Sequence, residues 1–248
     1  MLVTRLIPVL LLHNESLVKT TNFKNFKYIG DPCNTVRIFN ELEVDELIIL
    51  DILASKKNYS PNFNLLKMMA EESFMPLSYG GGISNLNDAK KIFELGFEKI
   101  VINSSVIRNP NFIKVLSKYF GSQSIVVSID IKKNIFGRKY IYNHSSSSFL
   151  KVNILDWIKN IVKCGAGEIF LTSIDHEGTW KGFDKELINE VVSSVPIPVI
   201  AHGGAGDIKD IVNLNKDTDI SGIGLGNLVV YQKKHNGVLI NFPKLNLT

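Results

Sequence analysis

The stretch Pro76-Leu77-Ser78-Tyr79-Gly80-Gly81-Gly82-Ile83-Ser84 decides the fold of this chain. An apolar run stops in three glycines and gives way to a helical pattern from Asn85 to Leu95, which reads as strand, tight turn and helix. Glycines at such a turn let backbone N–H groups close on an anion, and the positive end of the following helix adds to the attraction. The pattern returns 122 positions later in Pro198-Val199-Ile200-Ala201-His202-Gly203-Gly204-Ala205-Gly206-Asp207, where Pro198, Gly203 and Gly204 repeat Pro76, Gly81 and Gly82. The same offset carries Glu46 onto Glu168. Repetition at half the length of a 248-residue chain predicts two similar halves, about 1–123 and 124–248, within one domain spanning 1–248.

Outward from these turns, short apolar runs recur at Leu6 to Leu12, Leu47 to Leu50, Leu77 to Tyr79, Ile100 to Ile102, Ile125 to Ile129, Ile169 to Leu171, Val199 to Ala201 and Ile220 to Gly224. Helical patterns lie between them, such as Leu155, Ile158 and Val162 at i, i+3 and i+7, and Asp31-Pro32 supplies an N-cap and an N1 proline for the first. Strands apolar on both faces that alternate with helices predict a parallel sheet, and eight of them predict closure into a (β/α)8 TIM barrel. Two connections are longer than a barrel needs, His13 to Gly30 and Lys132 to Asn153, the second with Ser145 to Ser148 at its centre. Both follow strand C-termini, the face where barrel active sites lie, and both also read as ordinary surface insertions.

Composition narrows the function classes. A chain with 45% hydrophobic and 21% charged residues has material for one core. Its net charge of +4 is spread along the sequence, which argues against a nucleic-acid partner. Cys33 and Cys164 stand far apart without CxxC spacing or paired histidines, so neither a metal site nor a cofactor site is expected, and reduced thiols fit a cytoplasmic setting. The apolar opening Met1 to Leu12 runs into His13-Asn14-Glu15 and reads as a buried strand rather than a signal peptide; no other stretch is long enough to span a bilayer, so no membrane partner is expected.

Residues just after strands gather at the top of a barrel: here Asp51, Gly82, Asn103, Ser104, Asp130, Ser173, Asp175, Gly204 and Asn227. They predict a polar, carboxylate-bearing mouth with two anion cradles on opposite sides, suited to a small molecule phosphorylated at both ends. Residues just before strands gather at the bottom: Arg5, Glu46, Lys99 and Glu168 place two cations and two anions around that opening. Charges so near a packed core must pair, and such a ring is equally the signature of a purely stabilising network.

These residues resemble a known family. Gly30-Asp31-Pro32, Asp45-Glu46-Leu47, Leu50-Asp51-Ile52, Gly80-Gly81-Gly82-Ile83, Val101-Ile102-Asn103, Ser128-Ile129-Asp130, Gly165-Ala166-Gly167-Glu168-Ile169, Asp175-His176-Glu177-Gly178-Thr179 and Gly203-Gly204-Ala205-Gly206 match, in order and over nearly the whole chain, the HisF family, the cyclase subunit of imidazole glycerol phosphate synthase. The resemblance implies Asp130, Lys19 and Asp51 as catalytic residues. It implies Gly82, Asn103, Ser104, Gly178, Gly204, Gly226 and Asn227 as phosphate-binding residues. Arg5, Glu46, Lys99 and Glu168 become an ammonia gate, over which a HisH-like glutaminase docks. Ser78 and Thr172 would line the ammonia's route above the ring.

The match breaks after the first strand, where the family's first catalytic aspartate falls on Leu11. Glu177 stands for an aspartate, His202 for a small residue, and Asn227 for a phosphate-binding serine. This combination is similar to a HisF-like branch of surface-polysaccharide and flagellar-glycan pathways, which implies ammonia supply for acetamidino-sugar formation with a downstream sugar amidotransferase as a further partner. A true cyclase of histidine biosynthesis and a non-catalytic ammonia conduit are the competing expectations.

Overall fold

The structure, a computed structural model, describes residues 3–232, 237–245 and 247, so Met1 and Leu2 of the apolar opening and a few residues near the end of the second half lie outside it. In chain order the strands are β1 (Arg5–His13), β2 (Ser16–Thr21), β3 (Lys24–Gly30), β4 (Leu47–Asp51), β5 (Leu77–Gly80), β6 (Lys99–Ile102), β7 (Ile125–Lys133), β8 (Lys139–Asn143), β9 (Ser148–Phe149), β10 (Glu168–Ser173), β11 (Val199–His202) and β12 (Gly222–Leu225). Eight of these, β1, β4, β5, β6, β7, β10, β11 and β12, pair in parallel in that order. Pairing of β12 with β1 and of β7 with β10 closes the circle. The expected TIM barrel is therefore the observed one.

The helices follow the same logic. Among them, α1 (Pro32–Glu41) starts where the Asp31 carboxylate accepts from Asn34 N at 2.8 Å, with Pro32 filling a first-turn position whose N–H would have no partner. Its buried residues Thr35, Val36 and Phe39 lie on one face, as a 3.6-residue period requires. The core has two compartments. One lies between barrel and helices; the other fills the barrel interior with Ile7, Val9, Leu11, Ile48, Val101, Val126, Phe170 and Ile200. Alternate strand residues point to these two places, so a parallel strand is apolar on both faces.

The two long connections are not irregular. β1 runs past the barrel rim and pairs antiparallel with β2, which pairs with β3 through a turn in which Asn22 and Phe23 both have positive φ, 52° and 60°. Such a turn matches the twist of the flanking strands. β7 likewise extends into β8 and β9. The serine tract is the β8–β9 turn, held by Asn143 Oδ1, which accepts from the N–H of Ser145 and of Ser146. Sequence reading missed both hairpins because their exposed strands, such as Lys24-Asn25-Phe26-Lys27-Tyr28, bury almost nothing and so lack a clear apolar alternation. The last barrel strand is also shorter than expected, Gly222–Leu225 rather than Ile220 to Gly224.

Candidate active site at the barrel mouth

At the end where the strands begin, the four predicted charges form a closed circuit. Arg5 Nη1 donates to Glu46 Oε2 at 2.6 Å and Arg5 Nη2 donates to Glu168; Lys99 Nζ reaches Glu46 Oε1 at 3.1 Å and Glu168 Oε2 at 2.9 Å. Each cation touches both anions. Both carboxylates are buried, and the hydroxyl of Ser78, one layer up, donates to Glu46 Oε1 at 3.1 Å. Burial alone would lower the Arg5 guanidinium, but the charges of Glu168 and Glu46 reverse this and leave it raised.

The opposite end is a cavity lined by Leu11, Asp51, Asn103, Asp130, Thr172, Glu177 and His202, with the β2–β3 hairpin contributing Thr20, Phe23 and Phe26. Three carboxylates share it in three different states. Asp51 is committed to its own loop: Oδ1 accepts from Leu53 N at 2.9 Å, Ala54 N at 3.0 Å and Tyr59 Oη at 3.1 Å. Burial leaves its pKa raised in spite of these bonds, and burial together with the Asp51 charge pushes the Tyr59 phenol up to about 12. Glu177 is paired with Lys19 at 3.2 Å, both side chains almost fully buried, and also accepts from Thr20 Oγ1 and Phe23 N. Burial would raise its carboxyl; the Lys19 charge and the Phe23 N–H more than offset that and hold it low.

Asp130 differs from both. Its one close hydrogen bond comes from Asn103 Nδ2 at 2.9 Å, and among the described residues no salt bridge reaches it. Burial pushes its carboxyl up to about 7, against the influence of Asn103 and of the Ser128 and Thr172 hydroxyls. A carboxyl poised near neutrality can take or return a proton at working pH. Leu11 lines the same cavity. His202 is buried, stacks on Phe170 at 5.1 Å between ring centroids, and is lowered to about 4 by burial and by the Lys19 charge.

The predicted anion residues separate. Asn103 and Ser104 line the mouth beside Gly80 and Gly81. Lys19, Gly178 and Asn227 line a second, more open cavity with Lys27, Trp180 and Lys181, where Asn227 Nδ2 donates to the Gly178 carbonyl at 2.9 Å. Two glycines are tightly packed by neighbouring backbone. A Cβ on Gly204, at φ 121°, would lie 2.0 Å from the Gly182 carbonyl oxygen, and one on Gly82, at φ 69°, 2.5 Å from that of Tyr59. Gly226 backs onto Lys19 Nζ. Asp175 turns away to accept from Lys133 N at 2.7 Å, and Ser173 bonds His176. Among the described residues, the buried side-chain atoms left without a partner are Asn103 Oδ1 and Asn227 Oδ1, one at each cavity. Sequence reading missed the Phe23 and His144 rings, which meet edge to face at 5.7 Å where the two hairpins converge, because nothing local marks residues 121 apart as neighbours.

A closed parallel barrel with a carboxylate-bearing cavity where its strands end and a paired charge ring where they begin has the layout of a (β/α)8 enzyme. The family described as "Histidine biosynthesis protein" matches residues 5–236, and the chain belongs to it. Within that family it is HisF-like. It is 47% identical to the "Putative imidazole glycerol phosphate synthase subunit hisF2" of Pseudomonas aeruginosa, over 98% of this chain and 96% of that protein. A Leptospira borgpetersenii protein, "Putative imidazole glycerol phosphate synthase subunit HisF", is 47% identical with the same coverage. The "Imidazole glycerol phosphate synthase subunit HisF" of Streptococcus mutans is 38% identical over 90% of this chain and 88% of its own length. Among the described residues no helix is long and apolar enough to cross a membrane, and no cluster of potential metal ligands occurs.

Proposed function

We propose that this chain is the ammonia-using half of a glutamine amidotransferase. A HisH-like glutaminase docks over the ring of Arg5, Glu46, Lys99 and Glu168, and ammonia passes by Ser78 and Thr172 to an acceptor at the mouth. The acceptor is the precursor of an acetamidino sugar, used with a downstream sugar amidotransferase, rather than the bis-phosphorylated ribulosyl intermediate of histidine synthesis. One observation carries the choice of acceptor: Asp130 is the mouth carboxylate not already bound by a cation or by its own loop, and Leu11 stands where the HisF pattern calls for a second acid. Ring closure by two opposed carboxylates has only one of them here, and loss of one acid–base group is worth about 10²–10⁴-fold in rate.

The acceptor's anionic groups bind at Gly82, Asn103 and Ser104 on one side, and at Gly178, Gly204, Gly226 and Asn227 on the other. Beside these anionic groups, the unpartnered Oδ1 atoms of Asn103 and Asn227 take a hydroxyl or N–H donor of the ligand, because a buried acceptor atom without a donor is costly until a ligand supplies one. Asp51 then acts by holding the Leu53–Tyr59 loop in place. A second reading, a true cyclase, draws support from the poised Asp130 and from the names of the 38–47% identical relatives.

The test has two arms. Co-expression with the glutaminase encoded nearest to this chain is expected to give co-purification and glutamine hydrolysis that changes in Lys99→Ala; failure of the wild-type pair to associate refutes the amidotransferase role. Supplying the bis-phosphorylated intermediate with ammonium is expected to yield no imidazole glycerol phosphate, and turnover at an ordinary cyclase rate establishes the second reading instead.

A further inference from the structure

Three polar side chains form a row around the inner wall of the mouth. In the parallel register Asp130 of β7 lies opposite Thr172 of β10, and Thr172 lies opposite His202 of β11. Register partners on parallel strands face the same way, and all three line the cavity. His202 Nδ1 is 3.3 Å from Thr172 Oγ1, and the Thr172 hydroxyl favours the ionised form of Asp130. Stacking on Phe170 and the absence of a side chain on Gly224, whose Cβ would stand 3.2 Å from His202 Cδ2, fix the ring in this orientation. On the other edge of the ring, His202 Nε2 and Lys19 Nζ lie 3.7 and 2.6 Å from the point where a Cβ of Gly226 would stand. A cation on that side favours a bare lone pair on Nε2, which leaves the ring's proton on Nδ1.

We infer that His202 is a positioning residue for Asp130: its Nδ1–H donates to Thr172 Oγ1, which turns the hydroxyl proton onto Asp130 and holds that carboxylate as the proton acceptor of the mouth. A hydroxyl has one proton to give, so a donor behind it decides where that proton points. The groups facing His202 are Lys19 from β2, Glu177 from the loop after β10, Thr172 and Phe170 from β10, and Asp130 beyond Thr172. Burial and the nearby Lys19 charge keep the imidazole neutral throughout the range in which Asp130 titrates. His202 and Thr172 themselves neither gain nor lose a proton. As the ammonia lone pair forms the C–N bond, the π pair of the acceptor's C=O moves onto its oxygen, and one N–H proton of the added nitrogen passes to the Asp130 carboxylate. This step rests on the proton-acceptor role proposed above, but the placing of the three side chains in one row does not.

The experiment follows the Asp130 carboxyl by ¹³C NMR across a pH titration of the whole chain, with the signal assigned by its loss in Asp130→Asn. His202→Leu and the near-isosteric Thr172→Val are each expected to move the Asp130 midpoint up by about one pH unit, since the second removes the hydroxyl that donates to the ionised form and the first removes the group that turns it there. Because both act through one hydroxyl, the double variant shifts no further than either alone. His202→Asn, whose amide nitrogen can replace Nδ1, keeps the midpoint near that of the wild type. Unchanged midpoints in both single variants, or shifts that add in the double variant, overturn the inference. If His202→Leu does not fold, an unmoved midpoint in Thr172→Val alone overturns it. Shifted midpoints without any change in the pH profile of ammonia-dependent turnover leave the row standing and remove the proton-acceptor role from Asp130.

Discussion

The two ends of this barrel use the same kinds of side chain to opposite effect. Where the strands begin, two carboxylates and two cations satisfy one another completely, and each anion is shared by both cations. Where the strands end, Asp130 is buried with a single close hydrogen bond, and two buried amide oxygens have no partner among the described residues. A closed set of charges has nothing left to offer a ligand except its shape and the opening it surrounds. An incomplete set stores its unmet hydrogen-bonding capacity for whatever binds.

The largest expected effect breaks the ring. Glu168→Ala leaves Arg5 and Lys99 sharing one carboxylate, and the chain is expected to lose about 3–5 kcal/mol of stability in urea unfolding, as for other broken buried networks. A loss below about 1 kcal/mol would place the ring with exposed surface pairs and undo the contrast between the two ends.

Asp130→Asn probes the opposite end through pH. The carboxyl is held at about 7 in the folded chain against an ordinary value of 3.8, so its folded-state pKa lies above its unfolded one. The native state therefore binds the proton more tightly, and wild-type stability falls as pH rises from about 4 to about 7. The asparagine variant escapes this: thermal or urea unfolding is expected to show little gain at pH 4 and about 2–4 kcal/mol of added stability at pH 8. Equal stabilities at pH 8 would show that the carboxyl ionises without cost.

His202→Asn carries the opposite sign. The imidazole is lowered to about 4, so the unfolded chain binds its proton first, and wild-type stability falls as pH drops from about 6.5 towards 4. Removing the titrating ring is expected to flatten that acid limb by about 2–3 kcal/mol. In the wild type the two trends oppose each other between pH 4 and 6.5, so the variants reveal what the parent conceals. The smallest effect sharpens the comparison at the glycines. Gly204→Ala places a methyl against the Gly182 carbonyl and is expected to cost about 1–3 kcal/mol at every pH, leaving both limbs unaltered.

Much of this was legible in the sequence. Eight apolar runs, the glycine turns after Tyr79 and His202, and charged residues directly ahead of Leu6, Leu47, Ile100 and Ile169 mark strand ends by local chemistry alone, and local chemistry survives folding unchanged. The ordered motifs were enough to point to the HisF family. The hairpins were not legible, because β3 is mostly exposed and its pairing depends on a turn at Asn22 and Phe23 rather than on a buried face.

Sequence alone could not rank the carboxylates of the mouth. Asp51 and Asp130 both end an apolar strand and look alike in one dimension. Only the tertiary structure shows that Asp51 meets the amides of Leu53 and Ala54 and the Tyr59 hydroxyl, whereas Asp130 meets the Asn103 amide and lies in register with Thr172. That difference arises when the sheet closes. Asp130, Thr172 and His202, separated by 42 and then 30 positions along the chain, share one layer because β7, β10 and β11 pair in a register fixed by barrel closure. A carboxyl's affinity for its proton is set by the groups around it in space, and those are assembled by closure rather than by sequence neighbours.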